Sequence, residues 1–160
     1  MNDDLTLLHD ALLDLTGLFN QPQPDAVLIR EAGIELDRAL MPLLVRIERR
    51  GPIGVVALAD MAGRDYTTVS RQVAKLESLG LIARRAGAKD RRVREAVISE
   101  RGMVLVAALN RAREGIYLRL FAGWSSQDRQ QLATLTSRFA QSAMEMARRL
   151  GEGEAGDEPS

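Results

Sequence analysis

Residues 66–102 read YTTVSRQVAKLESLGLIARRAGAKDRRVREAVISERG, and the fold can be predicted from the pattern of this segment. Its first part has the apolar spacing of an amphipathic helix, predicted over 66–79. Two short extended segments, 81–86 and 93–98, then flank a polar tip, as in a β-hairpin. A short helix is predicted just upstream, over 55–62. Two helices joined by a turn of about four residues and followed by a basic hairpin are typical of a winged helix-turn-helix.

The ends of these helices carry the residues that helix termini favour. Asp65 precedes the second helix of the pair, where its carboxylate can accept hydrogen bonds from the first-turn amides. Gly80 follows that helix at the position that favours a left-handed conformation. Ser99 is expected to cap a long helix that runs to about Trp124.

The rest of the chain is predicted to be helical around this centre. Residues 4–20 form an apolar stripe at three- and four-residue spacings, and a second such stripe begins with Ser126 and Asp128 and continues to about residue 150. The segment 20–25 contains two prolines and is interpreted as a connector. A further helix is expected over 35–49, and Pro42 should start, kink or interrupt it. The fold class is therefore mainly α with a small β-hairpin wing.

One face of the helix over 66–79 has the composition of a nucleic-acid-binding surface. At about 100° per residue, Val69, Val73 and Leu76 share one face and must pack on a core. The opposite face has hydroxyls, a guanidinium and an ammonium but no carboxylate, so it can contact base edges and phosphates. An ordinary solvated helix face is the alternative, although such faces usually carry mixed charge. The candidate DNA-binding residues on this helix are Thr67, Thr68, Ser70, Arg71 and Lys75, with Ser78 on the same face.

The hairpin tip has the same chemistry on a smaller scale. Positive side chains on a narrow tip can follow a phosphate backbone or enter a minor groove. Asp90 is expected to orient Arg92 rather than to face phosphate, and an ordinary surface hairpin with a local salt bridge is the alternative. The candidate DNA-binding residues here are Arg84, Arg85, Lys89, Asp90, Arg91 and Arg92.

Composition limits the other function classes. The chain has 22 basic and 22 acidic residues, yet residues 64–101 contain ten basic and five acidic side chains. The absence of cysteine excludes disulfides, thiolate metal sites and thiol redox chemistry, and a single histidine makes a histidine-based metal site or a catalytic triad hard to build. We therefore expect no enzyme activity, no metal and no cofactor. The acidic start of the chain and the lack of a long apolar run indicate a cytoplasmic protein without a membrane span.

The hairpin and the helix after it contain a spaced motif, D-x-R-x5-[L/I]-[T/S]-x2-G, formed by Asp90, Arg92, Ile98, Ser99 and Gly102. With the helix pair upstream, this motif resembles the MarR family of bacterial winged-helix transcriptional regulators over about residues 30–125. The terminal helices resemble the family by position, length and apolar stripe.

The resemblance implies a homodimer that binds a pseudo-palindromic double-stranded DNA site, acts as a repressor, and is released by a small phenolic or anionic effector. It implies dimerisation helices over 1–34 and 126–150, a DNA-binding domain over 35–99 and a connecting helix over 100–125. The acidic, glycine-rich composition of residues 151–160 predicts a disordered tail. The alternative function is a winged-helix protein-interaction module without sequence-specific DNA binding, which would present apolar residues on the recognition face.

Overall fold

The computed structural model describes residues 2–88 and 90–154, and the chain divides into two compact units, Met1–Gly115 and Ile116–Ser160. The described part is mostly helical with one small antiparallel sheet, so the predicted fold class is confirmed. In chain order the elements are α1 (Asp3–Phe19), α2 (Gln23–Glu31), α3 (Met41–Arg50), β1 (Ile53–Gly54), α4 (Val55–Ala62), α5 (Tyr66–Ser78), β2 (Ile82–Ala86), β3 (Arg94–Ile98), α6 (Glu100–Leu120) and α7 (Ser126–Glu154).

The core of the first unit lies where α3, α4, α5, the sheet and the first half of α6 meet. Each helix buries the apolar side of an amphipathic sequence there, as the 3.6-residue period requires. The fully buried residues of this cluster are Leu43, Leu44 and Ile47 of α3, Leu58 of α4, Val69, Val73 and Leu76 of α5, and Val106 of α6. The predicted inward face of α5 is therefore confirmed.

The sheet has the strand order β1-β3-β2, with antiparallel pairing throughout. Strands β2 and β3 form the predicted hairpin, in the register Ile82↔Ile98 to Ala86↔Arg94. Strand β1 was not predicted, because two residues are too few to show a periodic pattern. It is held by pairing with β3, in which Ile53 lies opposite Ala96.

Helix α2 is absent from the predictions and α3 begins later than predicted, and a proline lies in the first turn of each. Helix α2 begins at Gln23, so the segment 20–25 is not a connector over its full length. Helix α3 begins at Met41 rather than near residue 35, with Pro42 in its first turn. Proline fits the first turn of a helix because its missing N–H would have no intrahelical partner there, so it marks the beginning of these helices rather than a break.

The start of α6 packs closely against the end of α5. The Ser99 hydroxyl donates to the Gly80 carbonyl at 2.7 Å and accepts from the Gly102 amide at 3.0 Å, which confirms the predicted cap. A Cβ on the buried Gly102 would collide with the Leu81 carbonyl oxygen and lie 2.6 Å from Cδ1 of Ile98. The last glycine of the motif is therefore required by this close approach.

The second unit begins at Ile116, near the C-terminal end of α6, and contains α7. Helix α6 ends at Leu120, four residues before the predicted end. Ser125 caps α7, because its hydroxyl accepts from the Asp128 amide at 3.1 Å and contacts the Asp128 carboxylate at 2.5 Å. Helix α7 continues to Glu154, past the predicted start of the tail at 151, and residues 155–160 of that tail lie outside the described residues.

The apolar stripes of the two terminal helices are exposed. Helix α1 contains no buried residue, and Phe19 is 70% exposed. In α7, every side chain from 126 to 150 is exposed, including Leu135 at 53%. None of the described helices combines the length and the apolar content needed to cross a membrane.

Candidate nucleic-acid interface

Helix α5 is fixed at its N-terminus by Asp65. The Asp65 carboxylate accepts from the Thr68 backbone amide at 2.8 Å, which satisfies one of the free first-turn donors. Hydrogen bonds from the Thr68 side chain and, second, from the Thr68 backbone amide hold the pKa of Asp65 below its ordinary value of 3.8. At the other end, Gly80 adopts a left-handed φ of +69°, as predicted.

The face of α5 opposite the core is polar and open. Thr67, Arg71 and Lys75 are exposed on it, while Ser70 on its flank is half-buried. The Ser78 hydroxyl donates to the Lys75 carbonyl at 2.8 Å, so its proton is directed into its own helix. This face therefore presents one guanidinium and one ammonium, with hydroxyls beside them.

The wing tip is a tight, hydrogen-bonded turn. The Gly87 amide donates to the Val93 carbonyl at 2.8 Å, and the Val93 amide donates to the Asp90 carbonyl at 3.1 Å. The Asp90 carboxylate accepts from the backbone amide of Arg92 at 2.9 Å. Asp90 therefore contacts Arg92, as predicted, but through the backbone amide and not the guanidinium, so it shapes the backbone of the tip. Among the described residues it forms no ion pair with that guanidinium.

The basic residues of the wing divide into two groups. Arg85, Arg91 and Arg92 are exposed, whereas Arg84 is half-buried and has a partner on α5. Lys89 lies outside the described residues. The exposed guanidinium groups leave the wing with the charge and the accessibility that a phosphate contact needs.

An ion pair joins α5 to the wing. Nε of Arg84 in β2 lies 3.1 Å from the Glu77 carboxylate. This Nε is buried and makes no well-aligned hydrogen bond, so the contact is mainly electrostatic. The pair neutralises the one carboxylate in α5, and it gives Arg84 a structural partner in addition to its predicted role on DNA.

A groove of about 610 Å³ lies between α4, α5 and the wing. Three of the predicted residues, Ser70, Arg84 and Arg92, meet on its walls. The α4 side of the groove is apolar apart from the Asp60 carboxylate. The guanidinium groups on the wing side are the ones suited to a phosphate oxygen, because arginine presents several N–H donors in one plane.

The structure adds two residues to the predicted site. Tyr66 is the first residue of α5, is 56% exposed and lines the groove. Recognition helices contact DNA through their N-terminal residues. Tyr66 could therefore have been predicted as a site residue from its position directly after the Asp65 cap. Arg94 also lines the groove, and it donates from Nη2 to the Arg84 carbonyl at 3.3 Å. It is the first residue of β3 and follows the wing turn that contains Arg92.

The helix pair, the polar recognition face and the basic hairpin define a DNA-binding protein of the winged helix-turn-helix class. A family model described as HVO_A0114 matches residues 35–95. HTH-type transcriptional regulator YxaD of Bacillus subtilis (strain 168), itself described as uncharacterized, is 33% identical over 104 residues, which cover 65% of this chain and 73% of that protein. The HTH-type transcriptional repressor MdtR of the same organism is 26% identical over 138 residues, which cover 86% of this chain and 88% of that protein.

Solved structures share the fold. A MarR family protein from Bacillus stearothermophilus superposes with a TM-score of 0.74, covering 90% of this chain and 99% of that one at 17% identity. This chain belongs to the MarR family of winged-helix transcriptional regulators.

Proposed function

We propose that the chain is a transcriptional repressor that binds a pseudo-palindromic DNA site as a homodimer. The observation that carries this proposal is the carboxylate-free face of α5, on which Thr67, Arg71 and Lys75 are exposed opposite a fully buried apolar face. In this proposal α5 enters the major groove and Arg71 contacts a base edge. The exposed wing arginines contact the phosphate backbone beside it.

Dimerisation is proposed through the terminal helices, over 1–34 and 126–150. Their apolar stripes are exposed, and contiguous apolar surface of this kind marks interaction sites. A dimer with two-fold symmetry presents two copies of α5, about one turn of DNA apart, to half-sites about 10 bp apart.

The repressor role is supported by the relative MdtR, which is named a transcriptional repressor. Release by a small phenolic or anionic effector stays a prediction, as does the cytoplasmic location that a chromosomal DNA partner requires. Catalysis is not part of this proposal, since the matched relatives are named as transcriptional regulators.

The first test selects DNA from a library of random duplexes with the purified full chain. We expect one sequence with two related half-sites, bound more tightly than unselected duplex and more weakly as salt rises. The mass of the complex should correspond to two chains per duplex. In transcription in vitro, a promoter that carries the selected site should become less active when the chain is added. Absence of binding even at low salt would favour the protein-interaction module.

The second test addresses the dimer interface. Phe139 lies on the apolar stripe of α7 and is 43% exposed, whereas Ser137 lies on the opposite side of the same helix. Phe139→Asp places a charge in the proposed interface, so the dimer should dissociate in sedimentation equilibrium. Ser137→Asp is the matched control and should stay dimeric. A dimeric Phe139→Asp variant would show that the stripe of α7 is not the interface.

A further inference from the structure

Helix α5 is held on both sides of its DNA-facing surface by polar contacts. At about 100° per residue, Glu77 lies about 120° from Arg71 on one flank, and Gln72 lies about 100° from Arg71 on the other. Glu77 is joined to the wing through Arg84, as described above. Gln72 is joined to a different part of the domain.

The Gln72 side chain hydrogen-bonds to two other segments of the chain, the one around Ala39 and the turn that contains Arg64. Its Nε2 donates to the Ala39 carbonyl at 3.3 Å, 33 residues earlier in the chain. Nη1 of Arg64, in the turn between α4 and α5, donates to the same carbonyl at 3.4 Å and to Oε1 of Gln72 at 3.3 Å. One backbone oxygen therefore receives donors from the turn and from the middle of the recognition helix.

The acceptor is itself fixed in place. The Ala39 amide donates to the Asp37 carboxylate at 2.8 Å, and the Leu40 amide donates to the Asp37 carbonyl at 2.9 Å. Leu40 next to it is buried in the core. The Ala39 carbonyl therefore has a fixed orientation. A hydrogen bond to it from Gln72 constrains the position of α5.

Rotation of α5 about its own axis is the motion that these contacts resist. The aliphatic side chains of Val69, Val73 and Leu76 fix how deep the helix lies, but dispersion contacts have little directional preference. A rotation of about 10° moves a group roughly 5–6 Å from the helix axis by about 1 Å. A displacement of 1 Å is larger than the range of good hydrogen-bond lengths, so it would disrupt a two-point contact with a base.

We propose that Gln72 is a positioning residue for sequence-specific DNA binding: together with Arg64 it fixes the rotation of α5 through the Ala39 carbonyl and so directs Arg71 at a base edge. This inference rests on the proposed function of the chain. Gln72 itself is half-buried on the flank of the helix and acts through Arg71.

The test compares two affinities for each variant of the full chain: one for the duplex selected by the wild-type chain and one for random duplex. Gln72→Met keeps the side-chain length and removes both polar atoms. It should lower the ratio of the two affinities about 5-fold, the factor that one ordinary hydrogen bond contributes, with the affinity for random duplex unchanged. Asn110→Met, at an exposed polar position of α6 outside the proposed dimerisation helices and DNA-binding face, is the matched control and should leave the ratio unchanged.

A double-mutant cycle separates positioning from general stability. In an Arg71→Ala background the contact to be positioned is gone, so Gln72→Met should change the ratio by less than about 2-fold. Arg64→Met, at an exposed position, tests the same carbonyl and serves if Gln72→Met fails to fold. It should also lower the ratio, because it removes a second donor to the Ala39 carbonyl. If Arg64 only contacted phosphate, its loss would weaken binding to both duplexes equally and leave the ratio unchanged.

Several outcomes would overturn the inference. Equal weakening on both duplexes would give Gln72 a role in stability or phosphate binding only. An equal loss of the ratio with and without Arg71 would exclude action through that residue. If the wild-type chain selects no sequence, the proposed function is wrong and the inference fails with it. If the chain selects a site and Gln72→Met keeps the full ratio, only the inference is wrong.

Discussion

Substitution of Gly102 by alanine tests the packing on which the wing and the long helix depend. A Cβ at this position would overlap the Leu81 carbonyl oxygen and lie 2.6 Å from Cδ1 of Ile98. The end of the Ile98 side chain can move, but the Leu81 carbonyl belongs to the backbone and already accepts the Ser99 amide at 3.1 Å. The start of α6 or of β2 must therefore shift to accommodate the methyl group.

The expected loss of unfolding free energy in Gly102→Ala can be estimated by comparison with Gly115 in the same helix, where an added Cβ meets nothing within 4 Å. Alanine gains about 0.5–1 kcal/mol over glycine inside a helix, and this gain is common to both sites. The difference between Gly102→Ala and Gly115→Ala is therefore the steric cost alone. Because the contact is with backbone, we expect the upper end of the overpacking range, about 3 kcal/mol.

The assay is urea unfolding of both variants and the wild-type chain at one fixed protomer concentration, since unfolding of an oligomer depends on concentration. Gly115→Ala should be as stable as the wild type or slightly more stable, and Gly102→Ala should be clearly less stable. Variants that differ by less than about 0.5 kcal/mol, the usual effect of a surface substitution, would refute the close approach of α6 to Leu81.

Three further substitutions test the interface. Arg71→Ala should cost about 1–3 kcal/mol on the selected duplex and relax discrimination at one base step, and an equal loss on random duplex would assign Arg71 to phosphate. Arg92→Ala should weaken binding to all sequences and reduce the slope of log K against log salt by about 1, unlike Arg111→Ala on α6; an unchanged slope would contradict the wing assignment. Because the pKa of Asp65 is lowered in the folded state, its charge stabilises the fold above pH 3.8 and this contribution is lost as pH falls below it. The stability difference between the wild type and Asp65→Ala, measured by urea unfolding, should therefore shrink in acid, and a constant difference from pH 7 to pH 3 would argue against the cap.

The features that sequence analysis predicted correctly are local. The buried face of α5, its cap at Asp65 and its end at Gly80 each depend on residues a few positions apart, so they can be recognised without the rest of the fold. The hairpin was equally visible, since its tip is polar and short. Proline was misjudged in the segment 20–25, where it begins α2 instead of forming a connector, because the same residue can end one element or begin the next. For Pro42 the sequence left three roles open, and the structure selects the helix start.

The features that the sequence did not reveal depend on contacts between distant segments. Strand β1 exists only because Ile53 pairs with Ala96 in β3. The ion pair of Glu77 with Arg84 and the hydrogen bond of Gln72 with the Ala39 carbonyl form only once the helices have packed. No spacing rule predicts such pairs, because their geometry is set by the crossing of elements rather than by the period of one element.

The terminal helices differ from the winged domain in how they can be stabilised. Most helical stability comes from tertiary packing of an apolar face, yet α1 and the described side chains of α7 from 126 to 150 bury none. Nine large apolar side chains on the two stripes are 41–70% exposed: Leu5, Leu8, Leu15, Phe19, Leu132, Leu135, Phe139, Met146 and Leu150. Since full burial of one such side chain contributes about 1.5–3 kcal/mol, covering the exposed half of all nine would contribute roughly 7–13 kcal/mol. This is a gross gain, from which the conformational entropy of ordering the helices must be subtracted. A second copy that covered both stripes would supply the apolar burial that the terminal helices otherwise lack, so we expect their folding to be coupled to the proposed dimerisation.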